Sequence, residues 1–166
     1  RLPDFEKTLL EKFYRYVNNG IRPIDSLLLL ELIENGKISK SELVSKYQKR
    51  FGLPLSAELI ESSFNFVNFK FNTEPKSGKR VPVGDIYRYE IITEVSNVFH
   101  LGNSLEKALE KPIFRSYLLD STKYSLQTFT NKFVNGDFVG GFLRYEKYRR
   151  IDVVRILKWG SEPVMQ

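Results

Sequence analysis

The sequence predicts a mainly helical chain that carries one small β-hairpin, and three observations lead there. Apolar residues recur at helical spacing in four capped segments between Asp4 and about Asn65. The period then drops to two on either side of a loop between Thr73 and Gly84. Beyond Glu94 the helical period returns.

Leu9, Leu10, Phe13, Tyr14 and Val17 mark one face of an opening helix over Asp4 to Asn19, which Gly20 stops. Pro23 and Asp25 introduce a second helix, Ile24 to Asn35, apolar around most of its circumference and therefore central to a core. Gly36 ends it. Ser39 and Glu42 have the spacing of a capping box, and Leu43, Val44, Tyr47 and Phe51 form the apolar face of a helix that closes at Gly52. Pro54 and Ser56 open a fourth, with Leu59, Ile60 and Phe64 inward.

Val67, Phe69 and Phe71 alternate with Asn68, Lys70 and Asn72, a strand pattern with one wet face. Tyr87, Tyr89 and Ile91 alternate with Arg88, Glu90 and Ile92, so the two stretches are expected to pair across a basic loop. Three helices followed by a hairpin is the element order of a winged helix, expected over roughly residues 22 to 93. From Glu94 the chain is expected to be helical again. Leu105, Ala108 and Leu109 precede Pro112, and Ile113, Phe114, Tyr117 and Leu118 begin a longer helix toward Phe133. Pro112 fits its first turn, where a missing N–H costs nothing. Ile151, Val154 and Leu157 line a last short helix at whose end Trp159 is expected to be buried. The expected units are 1–93, with the winged-helix-like module, and 94–166, a second helical unit ending in a basic helix.

The chain has 166 residues, 42% apolar and 28% charged, with 13 Phe, 9 Tyr and 1 Trp, enough to bury a core without staples. The absence of cysteine excludes thiol catalysis and cysteine-held metal, and the single histidine, His100, leaves no two-histidine metal motif. The longest apolar run, Leu27 to Leu30, is cut by Glu31, far short of the ~20 residues a bilayer span needs. A cytoplasmic protein without membrane contact is expected. A start at Arg1 and a lone Met165 read as a segment of something longer.

A net charge of +6 points toward nucleic acid, in two places. Lys76, Lys79 and Arg80 crowd the loop between the expected strands, where a wing tip would meet phosphates. Arg144, Lys147, Arg149 and Arg150 interleave with Tyr145 and Tyr148, which permits stacking on bases; the same tyrosines could instead pack in the core. The helix from Ser56 is unsuited to base reading, because its expected outward positions are Glu58, Glu61, Ser62 and Asn65. Asp85 and Glu90 lie an odd spacing apart on the second expected strand, hence on opposite faces, which argues against a metal nuclease. Ser77-Gly78-Lys79 lacks the upstream glycine of a phosphate-binding loop, and no metal or catalytic residue is expected.

Residues Tyr148 to Trp159, reading YRRIDVVRILKW, resemble a signature in the C-terminal region appended to bacterial superfamily II DEAD/DEAH helicases. Lys111-Pro112-Ile113-Phe114-Arg115 with Tyr117-Leu118 is similar to the short segment that region carries upstream. The motifs cover about a third of the chain. The resemblance implies a parent with an ATP- and magnesium-dependent helicase core acting on double-stranded DNA, in some members with a phospholipase D-like nuclease, as in the type IV restriction endonucleases that cut methylcytosine-containing DNA. Walker A, Asp-Glu-x-x and His-x-Lys signatures are absent from this sequence, and the chain stops before the portion that the family uses for modified bases. The expected function is therefore that of a non-catalytic coupling segment between a helicase core and a downstream recognition domain. The rival expectation is a free-standing winged-helix DNA-binding regulator, and a third is a small divalent-metal nuclease.

Overall fold

A computed structural model of the chain describes residues 2–52, 54–72, 82–83, 86–87 and 89–135. Helix α1 (Leu2–Asn19) is followed by α2 (Pro23–Asn35), strand β1 (Lys37–Ser39), α3 (Lys40–Phe51) and α4 (Ala57–Phe71). Two short strands, β2 (Pro82–Val83) and β3 (Ile86–Tyr87), pair only with each other. Then come β4 (Ile92–Val95), β5 (Val98–Leu101), α5 (Asn103–Ala108) and α6 (Pro112–Asn135).

The helix ends lie where the local chemistry puts them. Gly36 and Gly52 stand in the left-handed region at φ 84° and 66°, each donating its N–H to the carbonyl four residues back. Ser39 accepts from the Glu42 N–H at 3.1 Å and Ser56 from the Leu59 N–H at 3.0 Å. Pro112 begins α6, as its spacing predicts.

Helix α2 is the axis of the molecule. Every residue from Pro23 to Ile33 is buried, and α3, α4, α6, β1 and β5 all border it, with α1 packed against α4 and α6. One core links Leu9 and Phe13 of α1, Leu28 and Leu32 of α2, Leu59 and Val67 of α4, Phe99 of β5, and Leu118 and Leu126 of α6. The expected boundary between residues 93 and 94 falls inside β4, and this core draws on described residues from both sides of it.

The protein is mainly helical with a small antiparallel sheet in the order β1-β5-β4. Helix, strand, two helices and a hairpin whose second strand pairs with the first strand is the winged-helix connectivity. Its hairpin, however, is not the one the sequence pattern suggests. Val67–Phe71 is the end of α4, and β4 pairs with β5 across a turn at Ser96 and Asn97, both at positive φ (51° and 64°). The module thus runs to Leu101, and the chain returns to helix at Asn103 rather than at Glu94.

The period-two reading fails because alternate residues along this stretch also satisfy a helical period. Val67 and Phe71, four apart, are buried together, whereas Phe69, which a strand would turn inward with them, is 38% exposed. Asn68, expected on the wet face, is 4% exposed. Tyr14, assigned to the inward stripe of α1, is turned outward, and Tyr16 takes the buried position.

Candidate interaction surface

In a winged helix the second helix of the helix-turn-helix pair and the hairpin present the surface that can meet a partner. Here these are α4 and β4–β5. The Ser56 cap fixes the phase of α4, so Glu58, Glu61 and Asn65 face solvent. Ser62, expected beside them, is half-buried and accepts from Arg22 Nη1 at 3.2 Å.

Lys40, at the start of α3, borders this face, and it is already occupied. Its Nζ lies 2.7 Å from Glu94 Oε2 on β4, 3.2 Å from Glu61 Oε1 on α4 and 5.6 Å from the Phe99 ring centroid. The hydrogen bond to Glu94, followed by that to Glu61, raises the Lys40 pKa. One ammonium thus joins α3, α4 and the hairpin. At the tip of the hairpin Val95 is 62% exposed beside Ser96 and Asn97, with no basic residue in the turn. Phosphate binding would require the opposite charge.

Beneath this surface α4 carries two polar nodes, neither of which the sequence reading anticipated. At the first, Asp25 is fully buried and takes a forked pair of bonds from Arg22, Nε to Oδ2 and Nη2 to Oδ1, both 3.0 Å. Ser63 Oγ donates to Asp25 Oδ1 at 2.7 Å, and the Arg22 backbone N–H donates to Oδ2 at 3.1 Å. The guanidinium also lies over Phe66, 4.5 Å from the ring centroid. Burial first, and the Asp25 carboxylate second, hold the Tyr16 pKa well above that of a free tyrosine. The i,i+3 spacing of Arg22 and Asp25 around Pro23 was a usable signal for this node.

At the second node Asn68 and Asn72, four apart on α4, serve the backbone of residues 89–92. Asn68 Oδ1 accepts from the N–H groups of Ile91 (3.2 Å) and Ile92 (3.1 Å), and its Nδ2 donates to the Ile92 carbonyl at 3.0 Å. Asn72 Oδ1 accepts from the Tyr89 N–H at 2.8 Å, and its Nδ2 donates to the carbonyls of Tyr89 (3.0 Å) and Asn68 (2.8 Å). From the other side, Ser104 Oγ accepts from the Glu90 N–H, the Ser104 N–H donates to the Glu90 carbonyl, both at 3.0 Å, and the Gly102 N–H donates to the Ile91 carbonyl at 2.8 Å. Every main-chain donor and acceptor from Tyr89 to Ile92 is thereby satisfied. A Cβ on Gly102 would overlap the Glu90 carbonyl, so the close approach requires glycine there.

The DNA-contact candidates Lys76, Lys79 and Arg80, the candidates Arg144, Lys147, Arg149 and Arg150, and the expected packing anchor Trp159 all lie outside the described residues. So do Asp85 and the YRRIDVVRILKW tract. Glu90 is exposed ahead of β4, and His100 is half-buried in the middle of β5, opposite Lys37 and Thr93. Among the described residues no group of three His, Cys, Asp or Glu could hold a metal, and no helix is long and apolar enough to cross a membrane.

A family model described as a domain of unknown function (DUF8090) matches residues 1–132. No curated protein and no solved structure matches the chain.

Proposed function

This chain belongs to the DUF8090 family, a domain of unknown function, and from that premise we propose that it is a non-catalytic winged-helix interaction module that couples parts of a larger DNA-processing protein. The observation that carries this reading is the state of the face a base-reading winged helix would place on DNA. Glu58, Glu61 and Asn65 occupy it, and Lys40 beside it is held by two carboxylates. A face of this charge suits protein contacts and disfavours phosphates.

The resemblance of residues 148–159 and 111–118 to the C-terminal region of DEAD/DEAH helicases supplies the rest of the proposal. In it the parent is a cytoplasmic helicase or type IV restriction endonuclease. ATP and magnesium belong to its helicase core, double-stranded DNA is its substrate, and this segment bridges that core and a downstream recognition domain. Contact with DNA, where it occurs, comes from Lys76, Lys79, Arg80 and the Arg144–Arg150 tract, and not from α4.

A duplex titration by fluorescence anisotropy at several salt concentrations tests this. The expected affinity is non-specific, about 10⁻⁴ to 10⁻⁶ M at physiological salt, and unchanged by Asn65→Ala. Replacing Lys76, Lys79 and Arg80 together by alanine should shallow the salt slope by up to about three units. Tight binding to one sequence that Asn65→Ala abolishes would instead establish the free-standing DNA-binding regulator. The isolated chain is expected neither to hydrolyse ATP nor to cleave DNA with magnesium; turnover abolished by changing one of its own residues would overturn the non-catalytic assignment.

A further inference from the structure

We infer that the solvent face of the β1-β5-β4 sheet docks an acidic segment of a protein partner, one that carries apolar side chains beside its carboxylates. The inference rests on the reading of the chain as an interaction module but uses a face other than α4. Strand register fixes which residues share that face. Lys37 of β1, His100 of β5 and Thr93 of β4 stand directly opposite one another in one row, and Ser39, Val98 and Val95 in the next. The alternate residues Ile38 and Phe99 turn the other way, at 1% and 0% exposure. Neither row contains a carboxylate. Glu94, between Thr93 and Val95, lies on the opposite face, where it holds Lys40.

The first row sets two basic residues side by side. The Leu101 N–H donates to the Gly36 carbonyl at 3.2 Å and the Lys40 N–H to the Asn97 carbonyl at 2.9 Å, so Lys37 and His100 form a non-hydrogen-bonded pair, in which cross-strand side chains approach most closely. Neither side chain has an ion-pair or hydrogen-bond partner among the described residues. A carboxylate laid across the row would meet the Lys37 ammonium, an imidazole N–H of His100 and the Thr93 hydroxyl, donors that the fold itself leaves unused. In the second row Val98 is half-buried and Val95, opposite it, is 62% exposed. Valines beside the cations suit a polypeptide with apolar side chains and offer nothing to a phosphate backbone.

The test titrates the full chain with a short peptide of alternating glutamate and valine and follows backbone amide shifts by NMR. Saturable shifts are expected at Lys37, Thr93, Val98 and His100, and none with the peptide in which glutamine replaces glutamate. Lys37→Glu should weaken binding by about tenfold or more, and Val95→Ser by about threefold. Silence of these amides at millimolar peptide, or an affinity unchanged by Lys37→Glu, would overturn the inference. So would a DNA duplex that shifts the same amides when the peptide does not, which would assign the face to phosphates. Should the Lys37→Glu chain not fold, Lys37→Gln gives the graded measurement with the same two readings. A failure here is distinct from a failure of the interaction-module reading, which the duplex titration with Asn65→Ala decides.

Discussion

The two polar nodes of α4 solve the same problem by different chemistry. At Ser62 and Ser63 the helix meets a buried ion pair, Arg22 with Asp25, in which side chain recognises side chain. At Asn68 and Asn72 neutral carboxamides recognise bare backbone. The ion pair depends on both partners being present, since a carboxylate at 0% exposure without its guanidinium is an uncompensated buried charge. The carboxamides depend on geometry alone, because any residue that places an N–H and a carbonyl at those positions satisfies them. The first node thus sets how α2 sits against α4. The second sets where an extended segment begins.

That contrast can be broken from the charged side with the largest effect. Arg22→Ala leaves Asp25 buried without its forked partner and should cost about 3–5 kcal/mol in chemical denaturation. Changing Arg22 and Asp25 together to Met and Leu should recover most of that loss. If the double variant is no better than the single one, then packing and capping at Pro23, rather than charge compensation, dominate this node.

The neutral node should give a smaller and more local loss. Asn68→Ala strands the Ile92 carbonyl and two N–H groups, yet leaves β4–β5 pairing in place, and about 2–3 kcal/mol is expected. Exchange at Ile91 and Ile92 should accelerate more than exchange in α2. Uniform acceleration would mean that the two nodes are one cooperative unit.

The smallest effect concerns a hydroxyl belonging to neither node. Tyr47 Oη is buried and has no hydrogen-bond partner among the described residues, and burial raises its pKa above the ordinary 10.0. A raised folded pKa means that stability is fully present below pH 10 and falls above it, as the unfolded tyrosine ionises and the folded one does not. Tyr47→Phe should therefore flatten part of the stability loss above pH 10 and raise stability at pH 7 by up to about 1 kcal/mol. A steeper alkaline loss in the variant would contradict the assignment. Tyr16, raised by burial and then by Asp25, adds to the same slope.

What could be read from the sequence was whatever a few neighbouring residues decide. Gly36, Ser39, Gly52, Ser56 and Pro112 act within one helical turn, and each stands where its local chemistry predicts. The outward phase of α4 followed from Ser56, so Glu58, Glu61 and Asn65 were correctly placed. The hairpin was not legible, because Val67–Phe71 carries two periods at once and tertiary contacts choose between them. The true turn, Ser96-Asn97, lacks the glycine that usually marks such turns, and only Asn97 is at ease at positive φ. The alternation points to the winged-helix order through Val67–Phe71 and Tyr87–Ile92, whereas the hairpin is β4 with β5. Asn65, Asn68 and Asn72 at spacings of three and four were the helical signal that the alternation concealed.

One detail of the neutral node bears on how the molecule behaves at high concentration. β4 is an edge strand, and a free edge offers donors and acceptors on which a second chain can add a strand. At Ile92 the Asn68 carboxamide fills both, accepting from the N–H and donating to the carbonyl as a neighbouring strand would. Asn68 is in effect a one-residue counterfeit strand, and it denies the outer edge to self-association where the sheet begins. Solubility and placement of β4 thus rest on the same side chain. Loss of Asn68 exposes an edge as well as weakening the fold, so light scattering from Asn68→Ala should rise with concentration before its folded signal is lost.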